Sequence, residues 1–133
     1  VYGRLAAVGH GPVLAAGALA RPPRAGRHLY ADLGPLRAGL AAHGVTDSLE
    51  LEQHLTARLG RPVPGGHRFG DELGALRVRL DTGPLLGATP PERAETLAAR
   101  EPERLPQAVR ALAALTAVLD DLADPTAQNG ARR

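Results

Sequence analysis

At 133 residues the chain fits one domain, and an apolar share of 44% with only 2% aromatic leaves leucine, alanine and valine to build its core. The formal net charge is only +2, and all sixteen cations are arginine; without lysine the chain can form neither a lysine imine nor a Gly-x-x-x-x-Gly-Lys phosphate loop. Cysteine is absent as well, which excludes disulfides and thiolate metal sites.

Taken in order, Tyr2 to Val8 has the pattern of a helix end stopped by Gly9 and Gly11, and Pro12 opens a short helix to about Ala16, with Gly17 as its stop. The turn-rich stretch Arg21 to Gly26 leads into His28–Leu33, where Leu29, Ala31 and Leu33 alternate with polar neighbours as in a half-buried strand. Pro35 to His43 is a predicted helix ended by Gly44. Asp47-Ser48-Leu49-Glu50 is a capping signature for the next, whose Leu51, Leu55 and Leu59 form one stripe before Gly60. Arg61 to Phe69 is an extended piece running into a glycine-rich loop. In the following strand Leu76, Val78 and Leu80 share one face, and Arg77 and Arg79 share the other. Thr89-Pro90-Pro91-Glu92 caps a helix to about Arg100, and a last helix spans about Pro106 to Leu122, with Leu112, Leu115, Leu119 and Leu122 in one seam. Short strands with helices before, between and after them predict an α+β layer: a small, mainly antiparallel or mixed sheet covered by helices on one face.

Several functions are excluded by residue type and spacing. Ser48 is the only serine and has no Gly-x-Ser-x-Gly frame around it, so a serine hydrolase is out. The histidines at 10, 28, 43, 54 and 67 show no ligand spacing. Gly9 and Gly11 lack the strand and third glycine of a dinucleotide fingerprint. With only Tyr2, Tyr30 and Phe69 as aromatics, nucleic-acid binding is not expected; Arg21, Arg24 and Arg27 read as a solvated loop. Leu5 to Ala20 is broken by Gly9-His10-Gly11-Pro12, which argues against a signal peptide, and no segment reaches the roughly 18 to 20 apolar residues of a membrane span. Cytoplasmic residence is the resulting expectation.

Arg77 and Arg79 remain. Two guanidiniums on one face of a strand repel each other unless they meet solvent or an anion, and the planar donor fork matches a carboxylate. The alternative is ordinary ion pairing with Asp81, Asp71 or Glu72.

These segments, in this order, resemble the C-terminal third of the fold-type I, class I/II aminotransferases that use pyridoxal phosphate. His28–Leu33 resembles a family strand. Leu49 through Gly60 is similar to a family helix, Arg61-Pro62-Val63-Pro64-Gly65-Gly66-His67-Arg68-Phe69-Gly70 to the Pro-Gly-x-x-Phe-Gly loop, and Leu76–Leu80 to the strand that follows. The resemblance covers about residues 20 to 123, a small domain (20–123) that follows a helix end and connecting segment (1–19) and precedes a tail (124–133) expected to be disordered beyond the Asp124-Pro125 stop. It implies that Arg77 binds the substrate's α-carboxylate, with Arg79 as the fallback if the register slips by two. It further implies that Gly65, Gly66, His67, Phe69 and Gly70 lie near an active-site mouth, with Phe69 packing there, and that the parent enzyme is a homodimer. Asp81, where the family has a small residue, and the longer turn Gly83–Gly87 depart from the pattern. Pyridoxal phosphate, its lysine and its phosphate cradle would belong to a large domain outside this chain. An aminotransferase-like effector or dimerisation domain, or a stand-alone interaction protein, are the competing readings.

Overall fold

The computed structural model describes residues 10–20, 28–81 and 83–124. The expected helix end at Tyr2–Val8, the turn at Arg21–Gly26 and the tail beyond Asp124 lie outside them. Within them the fold is the expected α+β arrangement. Strands β1 (Leu19–Ala20), β2 (His28–Asp32) and β3 (Arg77–Asp81) form one antiparallel sheet in the order β1-β2-β3. The β2–β3 register sets Leu29 against Leu80 and Ala31 against Val78 on the buried face. It also sets Tyr30 against Arg79, and Asp32 against Arg77, on the other. The period of two fixes this partition, because a slip by one residue would carry every leucine into water.

Beyond β3 the chain adds a last, incomplete rung. Gly65 bridges to Val78, and the Arg79 N–H donates to the Pro64 carbonyl at 2.9 Å. Pro62 and Pro64 have no N–H to offer, which blunts this edge against further pairing.

Helix α1 is described over residues 10–15 and ends at Gly17, whose φ of 96° suits glycine. Helix α2 (Arg37–Ala42) is preceded by a 3-10 turn at Gly34–Leu36, so the predicted single helix is split in two. Helix α3 (Ser48–Leu59) begins at the expected cap: the Asp47 carboxylate accepts from the Glu50 N–H at 2.8 Å. Glu50 reaches back past Asp47, accepting from the Thr46 N–H at 3.0 Å and the Thr46 hydroxyl at 2.5 Å. Helix α4 (Pro90–Ala98) repeats the device, with Glu92 accepting from the Ala88 N–H at 2.9 Å, one residue before the Thr89 cap. That bond, ahead of its other contacts, holds Glu92 below the usual carboxylate range.

Helix α5 (Pro106–Ala123) packs across α2 and α3. Leu115, Val118, Leu119 and Leu122 join Leu51, Leu55 and the inward strand residues in one core. Each buried leucine of this kind contributes roughly 1.5–3 kcal/mol. Gly39 lets α2 approach, since a side chain there would run into the Leu122 carbonyl. Leu112, expected in the same seam, packs instead on Leu85 and Leu86 of the 3-10 turn Gly83–Leu86. The buried Thr96 hydroxyl lies 2.7 Å from the Leu86 carbonyl and accepts from Gln107 Nε2 at 2.9 Å. This network docks α4 against the body and so places one wall of the cleft described below.

Candidate anion-binding cleft

The outward face of β3 carries the two arginines, and their surroundings differ. Arg77 Nε lies 3.4 Å from Asp32 Oδ2, directly across the strand pair, and its Nη1 lies 3.3 Å from Asp71 Oδ1. The Asp32 hydrogen bond and the nearby charge of Asp71 strengthen its hold on its proton. Tyr30 completes the group, donating its hydroxyl to Asp71 at 2.5 Å. Desolvation, and then that hydrogen bond, push the Tyr30 phenol up to about 12. The structure therefore places Arg77 in ion pairs. Asp71 was one of the partners weighed from sequence; Asp32 was not.

Arg79 has no ion-pair partner among the described residues. Its guanidinium stacks 4.8 Å above the Phe69 ring, and Phe69 in turn meets Tyr30 edge-on at 6.1 Å between centroids. Phe69 remains 47% exposed, so it forms a platform for the arginine and no part of the core.

Arg79 lines a cleft of about 610 Å³ that Arg77 and residues 65–70 do not line. Two further guanidiniums share it. Arg61, just after the left-handed Gly60 that ends α3, donates to the Asp81 carbonyl at 2.8 Å, while Arg93 on α4 donates to the Gly87 carbonyl at 3.2 Å. Burial weakens Arg61's hold on its proton, and Asp81 offsets part of that effect. Asp81 is the acid in the lining, and its carboxylate also accepts from the Gly83 N–H at 2.8 Å. His28 stands at the same mouth, and Pro62, Pro84, Leu86 and Leu97 supply apolar wall.

The glycine loop is held from below. Glu52 accepts from the Gly65 N–H at 3.0 Å and pairs with Arg68 through two hydrogen bonds, Nη2 to Oε2 at 2.9 Å being one. The Arg68 hydrogen bond, aided by the Gly65 N–H, holds the Glu52 carboxyl down to about 2 against desolvation. His67 Nδ1 and Ser48 Oγ share a hydrogen bond of 2.7 Å. Ser48 is fully buried, so this pair is a tether between loop and helix and no nucleophile–base pair. Gly66 has no room for a side chain: a Cβ there would stand 2.6 Å from the Tyr30 hydroxyl and against Asp71. Gly70, at φ 95°, closes the turn.

Of the site residues expected from sequence, Arg77, Arg79, Gly65, Gly66, His67, Phe69 and Gly70, only Arg79 lines the cleft. His28, Arg61 and Arg93 escaped the sequence reading because they lie on three separate segments and no spacing links them. Among the described residues no group of three or more histidines or acids is arranged to hold a metal, and no helix is long and apolar enough to cross a membrane. Pyridoxal phosphate does not fit this chain as an imine, because no lysine is present to form one. The chain matches no family model, no curated protein and no solved structure.

Proposed function

We propose that this chain is a carboxylate-binding domain, corresponding to the small domain of a pyridoxal-phosphate-dependent transaminase that moves an amino group between an amino acid and a 2-oxo acid. The observation that carries the reading is the contrast on β3: a guanidinium without an acidic partner among the described residues, braced on an aromatic ring, facing a cleft. A rigid strand and a stacked ring hold the fork so that little order is lost when a carboxylate docks. The resemblance of residues 20 to 123 supplies the reaction class. The family pattern alone favours Arg77 as the clamp; the surroundings favour Arg79, because a carboxylate reaching Arg77 must first displace Asp32 and Asp71.

Cofactor, lysine and the rest of the active site belong in this reading to another part of a cytoplasmic, homodimeric parent. Without a lysine the chain by itself binds a carboxylate and leaves it unchanged, which also suits an aminotransferase-like effector domain. The test is a titration of the ¹⁵N-labelled chain with propionate, following the arginine Nε–Hε signals. The Arg79 signal should move, and Arg79→Ala should weaken binding roughly 30- to 150-fold. Movement of Arg77 alone would return the clamp to the position the family pattern favours. Movement of neither would end the carboxylate reading.

A further inference from the structure

Two histidines that line no part of the cleft meet where α2, α3 and α5 come together. His54, on α3, holds at Nε2 the buried side-chain nitrogen that finds no hydrogen-bond partner among the described residues. The ring of His43, at the end of α2, stands edge-on to it with 6.0 Å between centroids. His43 Nε2 in turn lies 2.9 Å from the Asp121 carbonyl in the last turn of α5. From this arrangement we infer that the pair is a proton-operated latch on α5: it stays shut while His54 is neutral, and it frees the last turn of the helix when His54 takes up a proton.

The two rings respond differently to acid. A carbonyl only accepts, so His43 Nε2 donates to Asp121, and a further proton at Nδ1 leaves that bond intact. For His54 a proton creates a buried charge with no acceptor in reach, which is costly. The neighbouring charges add to that cost. Arg58 on the same helix and His43 from α2 oppose a positive ring, and Asp121 on α5 favours one. The Asp121 carboxylate, however, is already taken by Arg58 Nη1 at 2.8 Å. Burial first, and then Arg58 and His43, hold His54 below the ordinary 6.5 against the pull of Asp121. A ring released to water accepts the proton that the seated ring refuses. The hold on α5 is therefore complete above about pH 6.5 and is lost as pH falls from there through the lower value of the seated ring. What the latch secures is an apolar seam: Arg58 and His43 both reach Asp121, and beside it Leu119 and Leu122 are buried, with the Leu122 carbonyl against Gly39.

The experiment is amide hydrogen exchange of the whole ¹⁵N-labelled chain from about pH 7.5 to 5, with each rate divided by the intrinsic rate at its pH, beside an NMR titration of the His54 ring. Protection of the Leu119 and Leu122 amides should fall by up to about tenfold per pH unit below 6.5, the slope of one proton taken up on opening. At the acid end both should exchange faster than the Leu33 amide, which bonds the Leu76 carbonyl at 2.7 Å. They should also ignore dilute urea, because opening one turn exposes little surface. In His54→Leu the slope at α5 should flatten. In His43→Gln, which keeps a donor for the Asp121 carbonyl and removes the neighbouring charge, the total loss should be smaller. An unchanged slope in His54→Leu would overturn the latch. So would α5 amides that match Leu33 in rate and in urea response, since the chain would then be opening as a whole. A His54 ring that takes up its proton while α5 stays protected would overturn it as well, and that result is read on the native sequence even where His54→Leu fails to fold.

Discussion

Arg77 and Arg79 sit two residues apart on the same face of the same strand, yet they are in opposite electrostatic settings. Arg77 looks along the sheet to Asp32, Asp71 and a tyrosine hydroxyl, and is neutralised locally. Arg79 looks toward an aromatic ring and a cleft in which arginines outnumber acids. A strand decides which way a side chain points; what it meets there is decided by segments far away in sequence. Asp32 and Asp71 arrive from β2 and the loop after Phe69, whereas Arg61 and Arg93 arrive from the end of α3 and the start of α4.

The contrast breaks most directly at Arg79 itself. Removing a guanidinium that bonds a carboxylate costs on the order of 2–3 kcal/mol, so Arg79→Ala should weaken propionate binding roughly 30- to 150-fold, read by calorimetry. Arg77→Ala should change it by about fivefold at most, because Arg77 does not line the cleft and exposed ion pairs of its kind contribute about 1 kcal/mol or less. Equal losses in the two variants would erase the distinction.

A smaller effect is expected at Gly66. Its substitution by alanine forces Tyr30 and Asp71 aside, and overpacking of this kind costs roughly 1–3 kcal/mol, measurable as a lower urea midpoint with an unchanged slope. If the acid group around Arg77 depends on that close approach, the same variant should free Arg77 and give it a carboxylate-dependent shift of its Nε–Hε signal. A stable Gly66→Ala protein with Arg77 silent would show that the pairing does not need the loop.

The Tyr30 phenol offers a third probe. Its folded value of about 12 lies above the ordinary 10.0, so the stabilisation it contributes is complete below pH 10 and is lost as pH rises toward 12. In a Tyr2→Phe background, ultraviolet titration should place Tyr30 near 12, and Asp71→Asn should lower that midpoint. An unmoved midpoint would mean that Asp71 is not the partner that matters.

A fourth probe concerns the loop that carries Phe69, the platform under Arg79, which Glu52 holds through Gly65 and Arg68. Glu52 titrates near 2 when folded, against an ordinary 4.5, so its contribution is complete above about pH 4.5 and fades as pH falls toward 2. Glu52→Gln should flatten that acid limb in a series of urea melts from pH 5 to 2.5. The same limb in wild type and variant would assign it to other carboxylates.

Where one face of an element is buried, the residues announced it. Leu29 and Ala31, Val78 and Leu80, and Leu51 and Leu55 all turned inward as their spacing required, and both capping signatures opened helices. β1 escaped because two residues are too few to show a period. The 3-10 turn Gly83–Leu86 escaped because its two leucines bury only once α5 brings Leu112 to them. Alternation alone put Arg77 and Arg79 on the outward face of β3, and Asp71 was considered as a partner. Asp32 was not, although the register places it opposite Arg77, because a cross-strand neighbour 45 positions away leaves no local mark.

Residue order by itself determined the helices, the two longer strands and the outward direction of Arg77 and Arg79, because those features follow from periodicities of a few residues and from caps that act within one turn. Only the tertiary structure decided that one arginine would be neutralised and the other left facing a cleft, since that outcome depends on charges brought together from four distant segments. Electrostatic energy falls with distance in space and takes no account of separation along the chain.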